Sequence, residues 1–205
     1  MRTRQQKLLV SLAILGAAAS IAGLGTYASF TSSTSASQTI QAATVSLVLG
    51  APGPQNRLSI GASGLLGGDS VESVVDLVNN GSLGSDQLSS VSLTTTASPS
   101  SLLDTDATNG LQMTIDDCSQ AWSETALLDG GYSYDCGGSL TMALPSRAVV
   151  GSNLALANLT SLTTNSTDHL RITLALPATA DNSFQGLSST LTYTFTGNQR
   201  AAASR

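Results

Sequence analysis

The sequence predicts an all-β chain: a jelly-roll-like β-sandwich with one disulfide-bounded loop excursion. Three observations predict it. Apolar residues alternate with polar ones in run after run, which is the period of a half-buried strand, and helical periodicity is nearly absent. Turn clusters such as Leu66-Gly67-Gly68-Asp69 and Asn79-Asn80-Gly81-Ser82 separate the runs. Seven or eight short strands at that spacing need two sheets, because one sheet alone leaves its apolar face wet.

The chain opens on a basic stretch, Arg2, Arg4 and Lys7, followed by an apolar run from Leu8 to Leu24. Thr26-Tyr27-Ala28 then offers small residues to a signal peptidase. Residues 1–28 are therefore expected to be a secretory signal peptide, cut between Ala28 and Ser29. The alternative is an uncleaved single-pass anchor, since about 17 apolar residues lie near the lower limit for spanning a bilayer. Residues 29–42 are rich in Ser and Thr and hold no Gly or Pro. That composition suits an extended strand, yet it has few apolar anchors, so the segment is either mobile or in need of a partner sheet.

Residues 43–198 are expected to form the sandwich. Val45, Leu47 and Leu49 alternate first. Val71, Val75 and Leu77 then share a face opposite Glu72 and Asp76. Val91-Leu93-Thr95, Leu111-Met113-Ile115 and Leu140-Met142-Leu144 repeat the pattern. Leu170-Ile172-Leu174-Leu176 and Leu191-Tyr193-Phe195 are the clearest strands. Ser119–Tyr134, with Trp122 and a turn at Asp129-Gly130-Gly131, reads as a long excursion. Ser146–Leu162 holds either a short helix around Asn153–Leu159 or another strand. Residues 199–205 are expected to be a disordered tail.

Charge and cysteines bound the setting. Five of the eight basic residues and all 13 acidic ones follow residue 28, so the exported chain carries 5 − 13 = −8. No basic patch survives, which excludes nucleic acid and anionic lipid as expected partners. Lys7 is the only lysine, so the exported chain has none for isopeptide cross-links. Cys118 and Cys136 fit one disulfide in an oxidising compartment. A two-cysteine metal site is the weaker alternative, because the loop between them holds no His.

Three stretches together resemble the TasA/camelysin family of bacterial biofilm-matrix proteins. The first is Gly25-Thr26-Tyr27-Ala28-Ser29-Phe30 with Ala43-Thr44-Val45-Ser46-Leu47. The second is Leu66-Gly67-Gly68-Asp69, ten residues before Asn79-Asn80-Gly81-Ser82-Leu83. The third is Asn182-Ser183-Phe184-Gln185-Gly186 followed by Leu191-Thr192-Tyr193-Thr194-Phe195 and Gln199. The Cys118–Cys136 excursion departs from the best-known members. The low-lysine, Ala-rich composition suggests a high-GC Gram-positive, actinobacterial source.

The resemblance implies a secreted jelly roll that builds matrix fibres and is cut by a signal peptidase of the SipW type. It also implies donor-strand exchange, in which one subunit's N-terminal segment completes the next subunit's sheet. The expected partners are further copies of the chain, the peptidase during export and a possible matrix co-component. Phe30, Thr34, Ile40 and their neighbours in Ser29–Ala42 are the candidate donor residues. An added strand satisfies edge N–H and C=O groups, and head-to-tail contacts of this kind do not close. The alternative is a flexible spacer, or a strand paired within its own domain.

Camelysin-like proteolysis is the test for catalysis. A His-Glu-x-x-His zinc site needs two histidines, and the chain has only His169, read as a solvated strand-edge residue. No Gly-x-Ser-x-Gly elbow accompanies it. Asp104-x-Asp106-x-x-Asn109-Gly110 loosely resembles a calcium loop, but the Gly is displaced by one and no Glu stands at position twelve. A solvated acidic turn is favoured. Asp116-Asp117 beside Cys118 are candidate oxygen ligands, yet Asp116 is expected rather to end a strand. Asn158-Leu159-Thr160 and Asn165-Ser166-Thr167 match the glycosylation sequon but are discounted in a bacterial chain. Trp122, Tyr132 and Tyr134 either form an exposed binding patch or pack the excursion onto the sandwich. No catalytic residue, metal or cofactor is expected. The runner-up to a fibre subunit is a monomeric surface module that binds through the Cys118–Cys136 loop. A metalloprotease comes third.

Overall fold

A computed structural model of the chain describes residues 46–50, 53–54, 56, 58, 65–81, 88–128 and 131–201. Ten strands and two short helical turns account for most of them. The strands are β1 (Leu47–Leu49), β2 (Ser70–Asn79), β3 (Leu88–Ala97), β4 (Gln112–Cys118), β5 (Ser123–Ala126), β6 (Tyr132–Asp135), β7 (Leu140–Ala148), β8 (Gly151–Leu156), β9 (Thr167–Ala175) and β10 (Leu191–Gln199). A single α-helical turn, α1 (Leu102–Thr105), follows β3, and a 3-10 turn, Asn182–Phe184, precedes β10.

The expected all-β sandwich is present. A five-stranded sheet in the order β1-β2-β9-β4-β7 faces a three-stranded sheet in the order β10-β3-β8. Every neighbouring pair is antiparallel. The chain changes sheet between β2 and β3, β3 and β4, β7 and β8, β8 and β9, and β9 and β10. That repeated crossing gives the winding its jelly-roll-like character.

Alternation explains the core. Val75 and Leu77 of β2, Met113 and Ile115 of β4 and Leu170 and Ile172 of β9 point to one side of the larger sheet and are buried. Val91 and Leu93 of β3, Leu154 and Leu156 of β8 and Phe195 of β10 meet them from the smaller sheet in one continuous cluster. The opposite side of the smaller sheet is a hydroxyl ladder, with Thr192 opposite Thr96, Thr194 opposite Thr94 and Thr196 opposite Ser92. Cross-strand Thr pairs of this kind stabilise a sheet without any charge.

Two expectations change. Leu140, Met142 and Leu144 do not share a face. Asp116 pairs with Met142 whereas Ile115 pairs with Leu144, so Ala143 is an extra residue in β7. This β-bulge shifts the alternation by one, burying Ala143 and Leu144 and leaving Leu140 and Met142 52% and 53% exposed. The stretch Ser146–Leu162 holds the end of β7 and then β8, so its strand reading stands and its helix does not. At the C-terminal end, Gln199 is still the last residue of β10, opposite Leu88. The described chain runs on to Ala201.

Candidate functional site

The excursion between the cysteines is a β-hairpin, β5 with β6, in the register Ser123–Asp135 to Ala126–Tyr132. Cys118 and Cys136 close its base as a disulfide with Cα atoms 5.8 Å apart. The hairpin covers the outer side of the five-stranded sheet, where Val74, Cys118, Trp122 and Tyr134 form a second buried cluster. Trp122 is only 2% exposed, and its indole N–H donates to the His169 carbonyl at 2.7 Å. Trp122 and Tyr134 are thus packing residues and offer no exposed aromatic patch. Leu127 and Leu128 at the hairpin tip are the exposed apolar side chains of the excursion.

The sheet's polar outer face fixes the hairpin further. Glu72, Asp116 and Arg171 stand on adjacent strands β2, β4 and β9, all on the side away from the core. Arg171 reaches Glu72 at 3.1 Å and Asp116 at 2.9 Å, and its guanidinium lies 4.6 Å from the Trp122 ring centroid. Tyr134 closes the set, since its N–H donates to Glu72 and its carbonyl accepts from Arg171. A cation held between two carboxylates and an aromatic face locks sheet to hairpin.

His169 corrects an expectation. It sits on β9, between β2 and β4, and so is internal to the sheet rather than at an edge. Its Nδ1 lies 2.6 Å from Asp76 Oδ1, with both side chains about four-fifths buried. An Asp–His pair is part of a hydrolytic triad, yet among the described residues no serine hydroxyl is bonded to the ring. Asp116 corrects another, because it lies inside β4 rather than at its end, with Asp117 next to it on the opposite face.

The acidic stretch after β3 is built as turn and cap. Ser101 caps α1, and Asp104 completes a capping box by accepting from the Ser101 N–H at 2.8 Å. The Ser100 and Ser189 hydroxyls also donate to Asp104. Burial pushes the Asp104 carboxyl up, but these hydrogen bonds outweigh it and hold the group below its ordinary value. Asp106 accepts from the Asn109 and Thr108 N–H groups, which hold it low as well. The carboxylates of this stretch are therefore turned inward on their own backbone. Among the described residues no three His, Cys, Asp or Glu side chains converge on a point that could hold a metal.

The sheet edges differ sharply. β1 has three residues, and β8 has six with Asn153 at φ 52°. β7 carries Pro145, Arg147 and the bulge, and Ala157 N–H and the Asn158 side chain cover its Ala143 and Met142 carbonyls. β10 runs nine residues, Leu-Thr-Tyr-Thr-Phe-Thr-Gly-Asn-Gln, with no charge and no proline. One of its edges pairs with β3, and among the described residues no strand pairs with the other. Natural edges are usually blunted by Lys, Pro, bulges or shortness, and β10 has no Lys or Pro, is not short, and is irregular only at its last residue pair. Sequence reading missed this feature, although the uncharged run Leu191–Gln199 was its visible signal.

β1, the first described strand, lies close to β10. Leu47 and Leu88 close over Gly197 of β10, where even a Cβ would meet Leu88 at 3.1 Å. The cleavage pair Ala28 and Ser29 and the donor candidates Phe30, Thr34 and Ile40 lie outside the described residues. Compared with protein-family models and with curated proteins, the chain matches none.

Proposed function

We propose that this is a secreted structural subunit that assembles into extracellular fibres by β-strand addition. Residues 29–42 of one copy pair with the open edge of β10 in the next. The observation that carries the reading is the nine-residue β10 edge, which has no charge and no proline and, among the described residues, no second strand paired with it. An incoming strand would satisfy the edge N–H and C=O groups that no described strand pairs and extend the three-stranded sheet toward the width of its partner. Because the contact joins two different surfaces, each added copy presents a fresh edge, and a filament grows.

Other features support the reading. The disulfide fits an oxidising, extracellular setting. The resemblance to the TasA/camelysin family leads to the same assembly and to removal of residues 1–28 at export. The reading is structural rather than catalytic: His169 is tied to Asp76 by its ring and to Trp122 by its carbonyl.

Electron microscopy of residues 29–205 beside residues 43–205 tests it. Fibres from the first and folded monomers from the second support strand addition. Monomers from both would sink it and turn attention to binding through the hairpin tip at Leu127 and Leu128.

A further inference from the structure

A buried acid pair at one end of the sandwich has no role in the assembly just described. Asp117 and Asp168 stand on neighbouring strands β4 and β9, on the core side, 6% and 1% exposed. Asp168 is fully supplied with donors. Its oxygens accept from the Thr160 N–H and hydroxyl and from the Ser161 N–H at 3.0 Å. Asp117 is the reverse case, because its Oδ1 is buried without a hydrogen-bond partner, as is the Ser161 hydroxyl oxygen. Two carboxylates cannot both be ionised in a dry site without a counter-charge. The occupant is then a proton or a cation. One free carboxylate oxygen and one hydroxyl are too few for a calcium ion, which takes six to eight oxygens.

Asp168 is linked through Ser161 to β1. The Ser161 carbonyl accepts from the Asn79 side chain at 2.7 Å, and Asn79 itself pairs with Leu47 of β1. The next residue, Asn80, donates its N–H to the Ser46 carbonyl at 2.8 Å. We infer that Asp117 is a proton-operated latch. Protonated, it lets the 157–166 connection and the root of β1 close on the sheet, and ionised, it loosens them.

Burial first, and then the Asp168 charge, push the Asp117 carboxyl up to about 6, against a lowering by the His169 N–H and imidazole. Among the described residues the charged group on the same face as Asp117 is Asp168, whereas the His169 ring lies on the other face of β9 against Asp76. β7 from Leu140 to Ser146, β8 and the 157–166 connection carry no charged side chain. A carboxyl raised in the folded state adds stability that is complete below its unfolded value near 4 and is lost as pH rises through about 6.

The test is thermal unfolding of the protein and of D117N from pH 4.5 to 7.5, with a carbon-13 NMR titration of the Asp117 carboxyl in the unaltered protein. The expected result is a melting temperature that falls by roughly 3–6 °C over that range. The fall should vanish in D117N, and the Asp117 resonance should titrate about two units above an ordinary aspartate. A resonance that titrates near 4 overturns the latch, whether or not D117N folds. So does a pH-dependent melt that D117N leaves unchanged. A rise in melting temperature at pH 7.5 on adding calcium, present in the unaltered protein and absent in D117N, would replace the proton with a cation.

Discussion

The two sheets are braced in opposite ways. The five-stranded sheet has both faces engaged: the core lies on one side, and the hairpin, disulfide and Arg171 cluster on the other. Its edge strands are short or interrupted. The three-stranded sheet buries one face and shows a Thr ladder on the other. Among the described residues it ends in a long edge strand, β10, without charge, proline or a bulge at its centre. The only shift in its β3 pairing falls at the far end, between Asn198 and Gln199. The added bracing lies on the first sheet, and the proposed site for joining another chain lies on the second.

The largest expected effect breaks this comparison directly. Lysines at Thr192 and Thr194 of β10 should abolish fibres and leave a folded monomer, by microscopy and circular dichroism. A lysine at the exposed Thr141 of β7 should leave fibres intact. If both edges respond alike, the distinction between the sheets fails.

The next effect is on stability. Phe195→Ala removes the large buried side chain of β10 and should cost about 3–5 kcal/mol in urea unfolding. Leu140→Ala, on the exposed face of β7, should stay within about 0.5 kcal/mol.

Replacing Cys118 and Cys136 with Ser sharpens the contrast. The 18-residue separation predicts a loss of about 3 kcal/mol in the chain-entropy model. Trp122 fluorescence should shift red as the hairpin lifts, while fibres still form through β10. Loss of fibres without loss of folding would place assembly on the hairpin instead.

The smallest effect belongs to neither sheet. Asp104→Ala removes the reciprocal half of the α1 capping box and should cost roughly 1 kcal/mol in chemical unfolding. Asp104 is held below its ordinary value, so its contribution is present above pH 4 and is lost as pH falls below that. In the variant the acid limb of the stability profile should shrink.

The sequence made the fold class legible because period-2 alternation is a local signal. Val75 with Leu77, Leu170 with Ile172, and Val91 with Leu93 all point inward as their spacing implied. Alternation failed at Leu140-Met142-Leu144, since a bulge shifts phase without any residue that announces it. The pairing of Cys118 with Cys136 was legible because only one intramolecular pair exists. The Arg171 cluster was not, because it joins residues 55 and 99 positions apart, and register across three strands is a property of the fold. His169 was misread for the same reason: a polar residue in an alternating run looks solvated until a second layer, the hairpin, is laid over it. The open edge of β10 lay between these cases. Its composition was visible, but its position at the end of a sheet was not.

Hydrogen–deuterium exchange read separately on β10 and β7, in fibres and in monomers of residues 29–205, tests the central claim most directly. Strand addition predicts that amides of Leu191–Gln199 exchange readily in the monomer and become protected in the fibre, while β7 is unchanged. Equal exchange of β10 in both states, or its full protection already in the monomer, would contradict an edge completed by a neighbouring copy.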